Sequence, residues 1–135
     1  MRAILDTNVY VSAALTPTGP AAQIIRAWQQ GQFELITSCE LLSEIGDTCA
    51  RKKFAHQITA ADRRAMLNLA GRRARLVPDL AVEHGDVPGD PDDDYLVALA
   101  REWSAALVTG DRHLLEVPNM PAVMTPRRFL NLLET

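Results

Sequence analysis

Acidic side chains recur along this chain at positions where an apolar segment stops or where an amphipathic helix turns inward. If they meet in the folded protein, carboxylates without histidine, cysteine or lysine among them will repel one another and raise each other's pKa values. A hard cation relieves that repulsion, and an all-oxygen ligand set favours Mg²⁺ or Mn²⁺. Such ions orient a phosphodiester and activate water for its hydrolysis. The acids concerned are Asp6, Glu44, the run from Asp90 to Asp94, and Asp111.

The third of these positions opens the stretch GDPDDDYLVALAREWSAALVTGD, residues 89–111. Asp90 has the character of an N-cap, with Pro91 at the first helical position. On a helical wheel Asp93 falls on the apolar side of the helix, whereas Asp94 points well away from it. Asp93 is therefore either a functional carboxylate or the second member of a capping box. The apolar face of this helix consists of Leu96, Leu99, Ala100 and Trp103.

Short apolar runs alternate with helical patterns along the whole chain, which predicts a parallel sheet covered by helices on both faces, an α/β/α arrangement of three layers. Strands are predicted at 3–5, 33–37, 75–77, 105–109 and 122–124, and helices at 9–15, 20–30, 38 to about 53, from 59, 90–103, 112–115 and after Pro126. Ligands of such sheets bind beyond the carboxyl ends of the strands. Asp6 ends the first strand, the run from Asp90 to Asp94 follows the third after an irregular segment, and Asp111 ends the fourth. These acids are therefore predicted to lie at that edge.

The helix after the second strand supplies the remaining acid. On its wheel Glu44 lies at the border of the apolar face, nearer the core than Glu40, while Asp47 points further out. Each acid also has a purely structural interpretation. Asp6 could be a turn residue at a strand end, Glu44 a solvated helix residue, and Asp111 an N-cap. If all of these acids lie at one edge of one sheet, a shared metal site explains their positions better than separate structural roles do.

Size and composition predict one domain spanning 1–135, since 135 residues with 47% hydrophobic content can bury one core. The sequence contains neither an apolar run long enough to span a membrane nor the apolar segment of a signal peptide, so a cytoplasmic protein without a membrane partner is expected. The cysteines and histidines do not form a zinc pattern.

Four ordered blocks, ILDTN, SCELLSEIGDTCARKKF, DPDDDYLVALA and LVTGDRHLL, resemble the PIN-domain family, in particular the toxin members of bacterial toxin–antitoxin pairs. The blocks run from Ile4 to Leu115. The resemblance implies a Mg²⁺- or Mn²⁺-dependent endoribonuclease that forms a homodimer or larger oligomer and has a cognate antitoxin protein as partner.

Residue by residue, the resemblance implies that the catalytic and metal-binding acids are Asp6, Glu44, Asp93 and Asp111. Asn8 corresponds to a hydrogen-bonding helper, and the hydroxyl of Thr109 to a supporting group. The neighbours Asp92 and Asp94 compete with Asp93 for its assignment or assist it. His113 stands where similar sequences commonly carry one more acid.

The net charge of −3 does not favour a nucleic-acid partner by itself. Setting four metal-binding carboxylates aside from the 17 acidic residues, however, leaves a near-even balance with the 14 basic ones. Arg51, Lys52 and Lys53 form a cluster that could follow an RNA backbone. The arginines between positions 63 and 75 form a second basic group that could do the same, and a solvated helix face is the interpretation slightly favoured for it.

Other functions fit less well. A phosphatase of the haloacid-dehalogenase type needs a second aspartate where this chain has Asn8, and a late acid where it has Leu115. A response-regulator receiver needs a lysine late in the chain, and none follows Lys53. The remaining alternative is a catalytically silent PIN-like module that binds RNA or a protein.

Overall fold

Thirteen short elements follow one another in the computed structural model, which describes residues 1–80, 94–117 and 122–134. In chain order they are β1 (Arg2–Leu5), α1 (Thr7–Leu15), α2 (Pro20–Gln29), β2 (Glu34–Thr37), α3 (Cys39–Cys49), a 3₁₀ turn (Lys52–Phe54), α4 (Ala60–Arg73), β3 (Arg75–Leu76), α5 (Asp94–Trp103), β4 (Ala106–Val108), α6 (Arg112–Leu115), β5 (Val123–Met124) and α7 (Pro126–Leu133).

The strands of the described residues form one parallel sheet in the order β3-β2-β1-β4-β5. Strand β1 is central, and Ile4 is in register with Ile36 of β2 on one side and with Leu107 of β4 on the other. All three residues are fully buried. Continuous apolar runs of this kind are typical of parallel strands covered on both faces. The predicted three-layer α/β/α fold is confirmed.

Local sequence signals define where the helices begin and end. Pro20 occupies the start of α2, and Gly31, with φ of 78°, follows its end in a conformation that glycine adopts readily. The hydroxyl of Ser38 accepts a hydrogen bond from the backbone of Leu41 at the start of α3. Thr59 and Asp62 form a capping box at the start of α4.

The prediction that the third helix continues to about Lys53 was wrong, because α3 ends at Cys49. Cys49 is buried on the inner face of α3. A continued helix would place Lys52 and Lys53 three and four residues further along, on that same buried face. Burying two ammonium groups is costly, so the chain turns at Arg51 and forms the 3₁₀ turn instead.

Two further predictions concern residues that the structure does not describe. The proposed start of the acidic helix, at Asp90 and Pro91, lies outside the described residues, as does Asp93. Within the described residues, every helix is too short or too polar to cross a membrane.

Candidate active site

Asp6 and Thr109 are held at the carboxyl edge of the sheet by hydrogen bonds that continue the strand pairing. The backbone N–H of Asp6 donates to the carbonyl oxygen of Val108 at 3.0 Å, and that of Thr109 donates to Met124 at 2.9 Å. Both side chains are buried, with Asp6 3% and Thr109 0% exposed. The backbone positions of the two residues are therefore fixed by the sheet itself.

The Thr109 hydroxyl connects the ends of β1 and β4. Its Oγ1 donates to Asp6 Oδ2 at 2.7 Å and accepts from the backbone N–H of Asp111 at 3.0 Å. Asp111 Oδ1 in turn accepts from the backbone N–H of His113 at 2.9 Å, so that Asp111 caps α6. The structural role considered for Asp111 is thus present. It uses one carboxylate oxygen and leaves the other for a ligand.

Glu44 reaches the site from α3. The start of this helix is fixed by Ser38 and by Asp79 Oδ2, which accepts from the backbone N–H of Glu40 at 3.2 Å. Glu44 is half-buried, whereas Glu40 and Asp47 are exposed, as the helical wheel predicts. The phenol hydroxyl of Tyr95, on α5, donates a hydrogen bond to Glu44 Oε2.

The electrostatics of Asp6 depend on two of the other predicted acids. Burial raises the pKa of the Asp6 carboxyl above its ordinary value, while hydrogen bonds from the Thr109 hydroxyl and the Thr7 backbone lower it. The negative charges of Glu44 and Asp111 each raise it further. Among the residues that the structure describes, Asp6, Glu44 and Asp111 have no salt bridge. The site therefore combines a buried carboxylate with unneutralised acidic neighbours.

This arrangement suits a divalent cation, since all donors are oxygens and no basic side chain in the described part of the chain balances their negative charge. The ranges 1–80, 94–117 and 122–134, however, contain no group of three acids, histidines or cysteines close enough together to hold an ion. The fourth predicted ligand, Asp93, and its neighbour Asp92 lie outside these ranges, and the side chain of Asp94 is likewise not described. A site with four carboxylate ligands stays a prediction.

The remaining residues named from the sequence lie on the surface. Asn8 is exposed, and its role as a hydrogen-bonding helper stays a prediction. Arg51, Lys52 and Lys53 are also exposed. The ammonium group of Lys53 lies 5.0 Å from the ring centroid of Phe54. Arg51 comes after the end of α3, whose last residue lies about 8 Å along the helix axis from Glu44 at 1.5 Å per residue.

One of the more distant arginines has a structural role instead. Arg75 Nη1 lies 3.1 Å from Glu34 Oε1, and the Arg75 guanidinium lies 4.7 Å from the ring centroid of Trp103. Arg2 reaches the same glutamate from the start of β1. These contacts lie at the amino ends of the strands, away from Asp6. Through them Arg75 connects the outer strand β3 to β2 and to the end of α5.

The hydrogen bond between Tyr95 and Glu44 was not predicted from the sequence. Tyr95 lies four residues before Leu99, on the same side of α5, and is only 5% exposed. A buried tyrosine usually has a hydrogen-bond partner for its hydroxyl. A tyrosine on the inward face, immediately after an acidic run, was therefore a signal that an acceptor lies opposite.

A separate cavity of about 410 Å³ lies between α1, α2 and α4, and none of the candidate acids lines it. Its walls are mainly apolar, including Trp28, Met66 and Leu69. The hydroxyl of Tyr10 is buried there without a hydrogen-bond partner in the described part of the chain. Burial raises the pKa of Tyr10 above its ordinary value. Volume alone would favour this cavity, but the carboxylates mark the sheet edge as the chemical site.

Proteins similar to this chain include two with solved structures and one known by its sequence. The crystal structure of PAE2754 from Pyrobaculum aerophilum has a TM-score of 0.69 at 14% identity, covering 99% of this chain and 90% of that one. VapBC2 from Rickettsia felis, solved bound to a DNA fragment from its promoter, contains a chain with a TM-score of 0.59 at 15% identity, covering 93% and 97%. At these identities the likeness shows a shared fold.

The sequence comparisons extend this likeness from fold to family. The protein MJ1680 of Methanocaldococcus jannaschii, described as uncharacterized, is 26% identical over an alignment of 144 residues. The alignment covers 99% of this chain and 92% of that protein. The family described as PIN domain matches residues 2–113, which include Asp6, Glu44, Thr109 and Asp111. This match covers most of the chain and agrees with the parallel sheet and the acids at the carboxyl edge of that sheet. The chain therefore belongs to the PIN-domain family.

Proposed function

We propose that the chain is a Mg²⁺- or Mn²⁺-dependent endoribonuclease. The observation that carries the proposal is the position of Asp6, a buried carboxylate with two acidic neighbours and, among the described residues, no basic partner. Folding such a group is unfavourable unless a cation binds it. Membership of the PIN-domain family, whose members are generally nucleases that use divalent metal ions, supports the same conclusion.

In this proposal the ion is held by Asp6, Glu44, Asp93 and Asp111. When bound, it activates water and polarises the phosphodiester. Thr109 fixes the orientation of Asp6 through the hydrogen bond at 2.7 Å and keeps Asp111 close through its backbone. Arg51, Lys52 and Lys53 contact the phosphate backbone of the RNA.

Cleavage of single-stranded RNA with purified variants tests the proposal. Asp6→Asn, Glu44→Gln and Asp93→Asn are each expected to abolish Mn²⁺-dependent cleavage, because each removes one negative ligand and changes the size of the side chain little. Glu40→Gln is the matched control, since it removes an exposed carboxylate from the same helix one turn earlier. We expect this control to cleave like the wild type.

The outcomes separate the site from the fold. Circular dichroism should show that all four variants retain the wild-type secondary structure. Full activity in both Asp6→Asn and Asp93→Asn would contradict the proposal. A DNA strand of the same sequence should be cut poorly, and equal cleavage of both strands would exclude the assignment to RNA.

The biological part of the proposal is that the nuclease is the toxin of a toxin–antitoxin pair. It is supported by the fold shared with VapBC2. The proposed partners are a cognate antitoxin and a second copy of this chain.

Expression in a bacterial host should arrest growth and produce new RNA ends at defined positions, which sequencing of those ends detects. A small upstream gene should relieve the arrest when co-expressed. Light scattering should give the mass of a dimer or larger oligomer.

A catalytically silent module is the second candidate, and one observation favours it. The described residues do not by themselves assemble three ligands around one point. A melting curve with and without Mn²⁺ separates the two candidates, because an ion that binds only the native state raises the melting temperature. A silent module predicts no change, and the proposed nuclease predicts a rise that Asp6→Asn removes.

A further inference from the structure

Tyr95 joins two helices that meet at the candidate active site. Its phenol hydroxyl, on the first turn of the described part of α5, donates to Glu44 Oε2 on α3. The tyrosine residue is buried, with 5% of its surface exposed, and the hydrogen bond itself is partly buried. Helix α3 follows β2 in the chain, whereas α5 precedes β4. The hydrogen bond therefore fixes the position of a site carboxylate relative to a distant part of the chain.

The contact restricts a side chain that would otherwise be mobile. A glutamate on a half-buried helix face has several rotatable bonds, and ordering it costs conformational entropy. Within the described residues, the Glu44 carboxylate accepts its hydrogen bond from Tyr95. Because the bond is made to Oε2, the second oxygen stays available for a ligand. Tyr95 thus orients the carboxylate before any ion arrives.

The chemical type of the donor matters as much as its position. Asp6 and Glu44 each accept a hydrogen bond from a neutral hydroxyl, that of Thr109 and that of Tyr95. A lysine or arginine in either place would hold the carboxylate but cancel its charge. A hydroxyl leaves the charge available to a cation. Partners of this kind around a metal ligand typically change metal affinity or activity about 10–100-fold when they are removed.

We propose that Tyr95 is a positioning residue that orients Glu44 for binding of a divalent cation. The inference rests on the proposed function and extends it to a residue outside the four predicted acids. Tyr95 does not contact the RNA in this account; it acts through Glu44.

The first test is Tyr95→Phe, which removes the hydroxyl and keeps the ring. Calorimetric titration of the variant with Mn²⁺ should give a Kd about 10–100-fold higher than that of the wild type. In the cleavage reaction kcat should fall and the KM for RNA should stay unchanged. Tyr10→Phe is the matched control, since it removes one buried hydroxyl that lacks a hydrogen-bond partner in the described residues. Its Mn²⁺ affinity should equal that of the wild type.

A double-mutant cycle with Glu44→Gln tests whether the effect passes through Glu44. Tyr95→Phe should have little further effect on Mn²⁺ affinity in the Glu44→Gln background. An equal loss in both backgrounds would overturn the inference. A purely structural brace would instead lower the melting temperature of the metal-free protein and leave Mn²⁺ affinity unchanged, which also overturns it.

A second measurement does not depend on the folding of Tyr95→Phe. The chain has two tyrosines, so Tyr10→Phe retains Tyr95 alone. Adding Mn²⁺ to this protein should shift the tyrosine band of the ultraviolet difference spectrum, and Glu44→Gln should remove the shift. Absence of a shift although Mn²⁺ binds overturns the inference and leaves the nuclease proposal intact. Absence of any Mn²⁺ binding by the wild type overturns both.

Discussion

The pKa of Asp6 is set by opposing influences, and these explain the chemistry of this residue. Burial raises its pKa, two hydrogen bonds lower it, and the charges of Glu44 and Asp111 raise it again. The net result is a carboxyl group that is harder to ionise in the folded chain than in the unfolded one. A bound cation reverses this preference, so the residue gains from the ion what it lacks from its protein neighbours.

The first prediction is that Asp6→Asn stabilises the metal-free protein. Because the native pKa of Asp6 is raised, the folded state binds more protons than the unfolded state at pH values between the two pKa values. Stability therefore decreases as pH rises from about 4 through the native pKa, and the penalty is complete above it. The advantage of the variant should be absent at the acid end and full at neutral pH. Urea unfolding at several pH values measures it, and a constant difference would contradict the account.

The second prediction concerns the Thr109 hydroxyl. Thr109→Val leaves the buried Asp6 carboxylate and the Asp111 N–H without their common partner, so the free energy of unfolding should fall by about 1–3 kcal/mol. Thr109→Ser keeps the hydroxyl and should lose less. Thr37→Val is the matched control, since its buried hydroxyl has no hydrogen-bond partner in the described residues. Urea unfolding should find the control neutral or stabilised; equal losses at both positions would exclude a specific role for Thr109.

Short elements position these residues at the next scale. Helix α6 has only four residues, and Asp111 supplies its N-cap. The 3₁₀ turn after α3 carries its cations into solvent because the buried face of α3 ends at Cys49. Each element thus connects a structural requirement to a residue of the proposed nuclease.

The third prediction separates the two uses of Asp111. Asparagine is as good an N-cap as aspartate, so Asp111→Asn should change stability by only a few tenths of a kcal/mol. Asp111→Ala removes the cap and should cost about 1 kcal/mol. Thermal unfolding should distinguish the two, yet neither should retain the full Mn²⁺ response. A normal response in Asp111→Asn would show that the second oxygen is not a ligand.

The fourth prediction concerns the cationic segment. Replacing Arg51, Lys52 and Lys53 by alanine should raise the KM for RNA and leave kcat unchanged, because phosphate contacts bind without reacting. The slope of log affinity against log salt concentration should decrease by about 2 for three lost contacts with a single strand. Fluorescence anisotropy with labelled RNA measures both quantities.

Three exposed arginines elsewhere provide the control for this experiment. Arg64, Arg72 and Arg127 carry the same total charge as the segment and lie on α4 and α7. Their replacement by alanine should affect RNA binding less. An equal effect of the two triple variants would indicate that overall charge, and not this segment, attracts the RNA.

The elements themselves were largely predictable from local chemistry. Pro20 and Gly31 bracket α2, and the Thr59 capping box starts α4, because these signals act within a few residues. The end of α3 was not predicted, since it depends on which face is buried and not on a local terminator. Of the site, the placement of Asp6 and Asp111 at strand ends followed from the apolar runs before them. The family resemblance pointed to the Thr109 hydroxyl as a supporting group but not to its partners Asp6 and Asp111. The contact of Tyr95 with Glu44 was not predictable, because it depends on how closely α5 approaches α3 in the folded chain.

At the scale of the whole molecule, the strand order explains why the site lies where it does. From β1 the chain proceeds through β2 to β3 on one side, then returns to β4 and β5 on the other. Strand order reverses at β1, and in open α/β sheets such a switch point is where ligands bind, beyond the carboxyl ends of the strands. The hydrogen bond between Thr109 and Asp6 joins the ends of β4 and β1 at this point. A parallel sheet of this order thus brings acids from distant parts of the sequence to one place.

The central claim, that these acids share one divalent cation, is tested most directly by crystals grown with Mn²⁺ and measured near the manganese absorption edge. The account predicts an anomalous peak about 2.1 Å from a carboxylate oxygen of Asp6. Oxygens of Glu44, Asp93 and Asp111 should complete the coordination directly or through water. Crystals of Asp6→Asn should lack the peak. Wild-type crystals without anomalous density at this edge of the sheet, in saturating Mn²⁺, would contradict the claim.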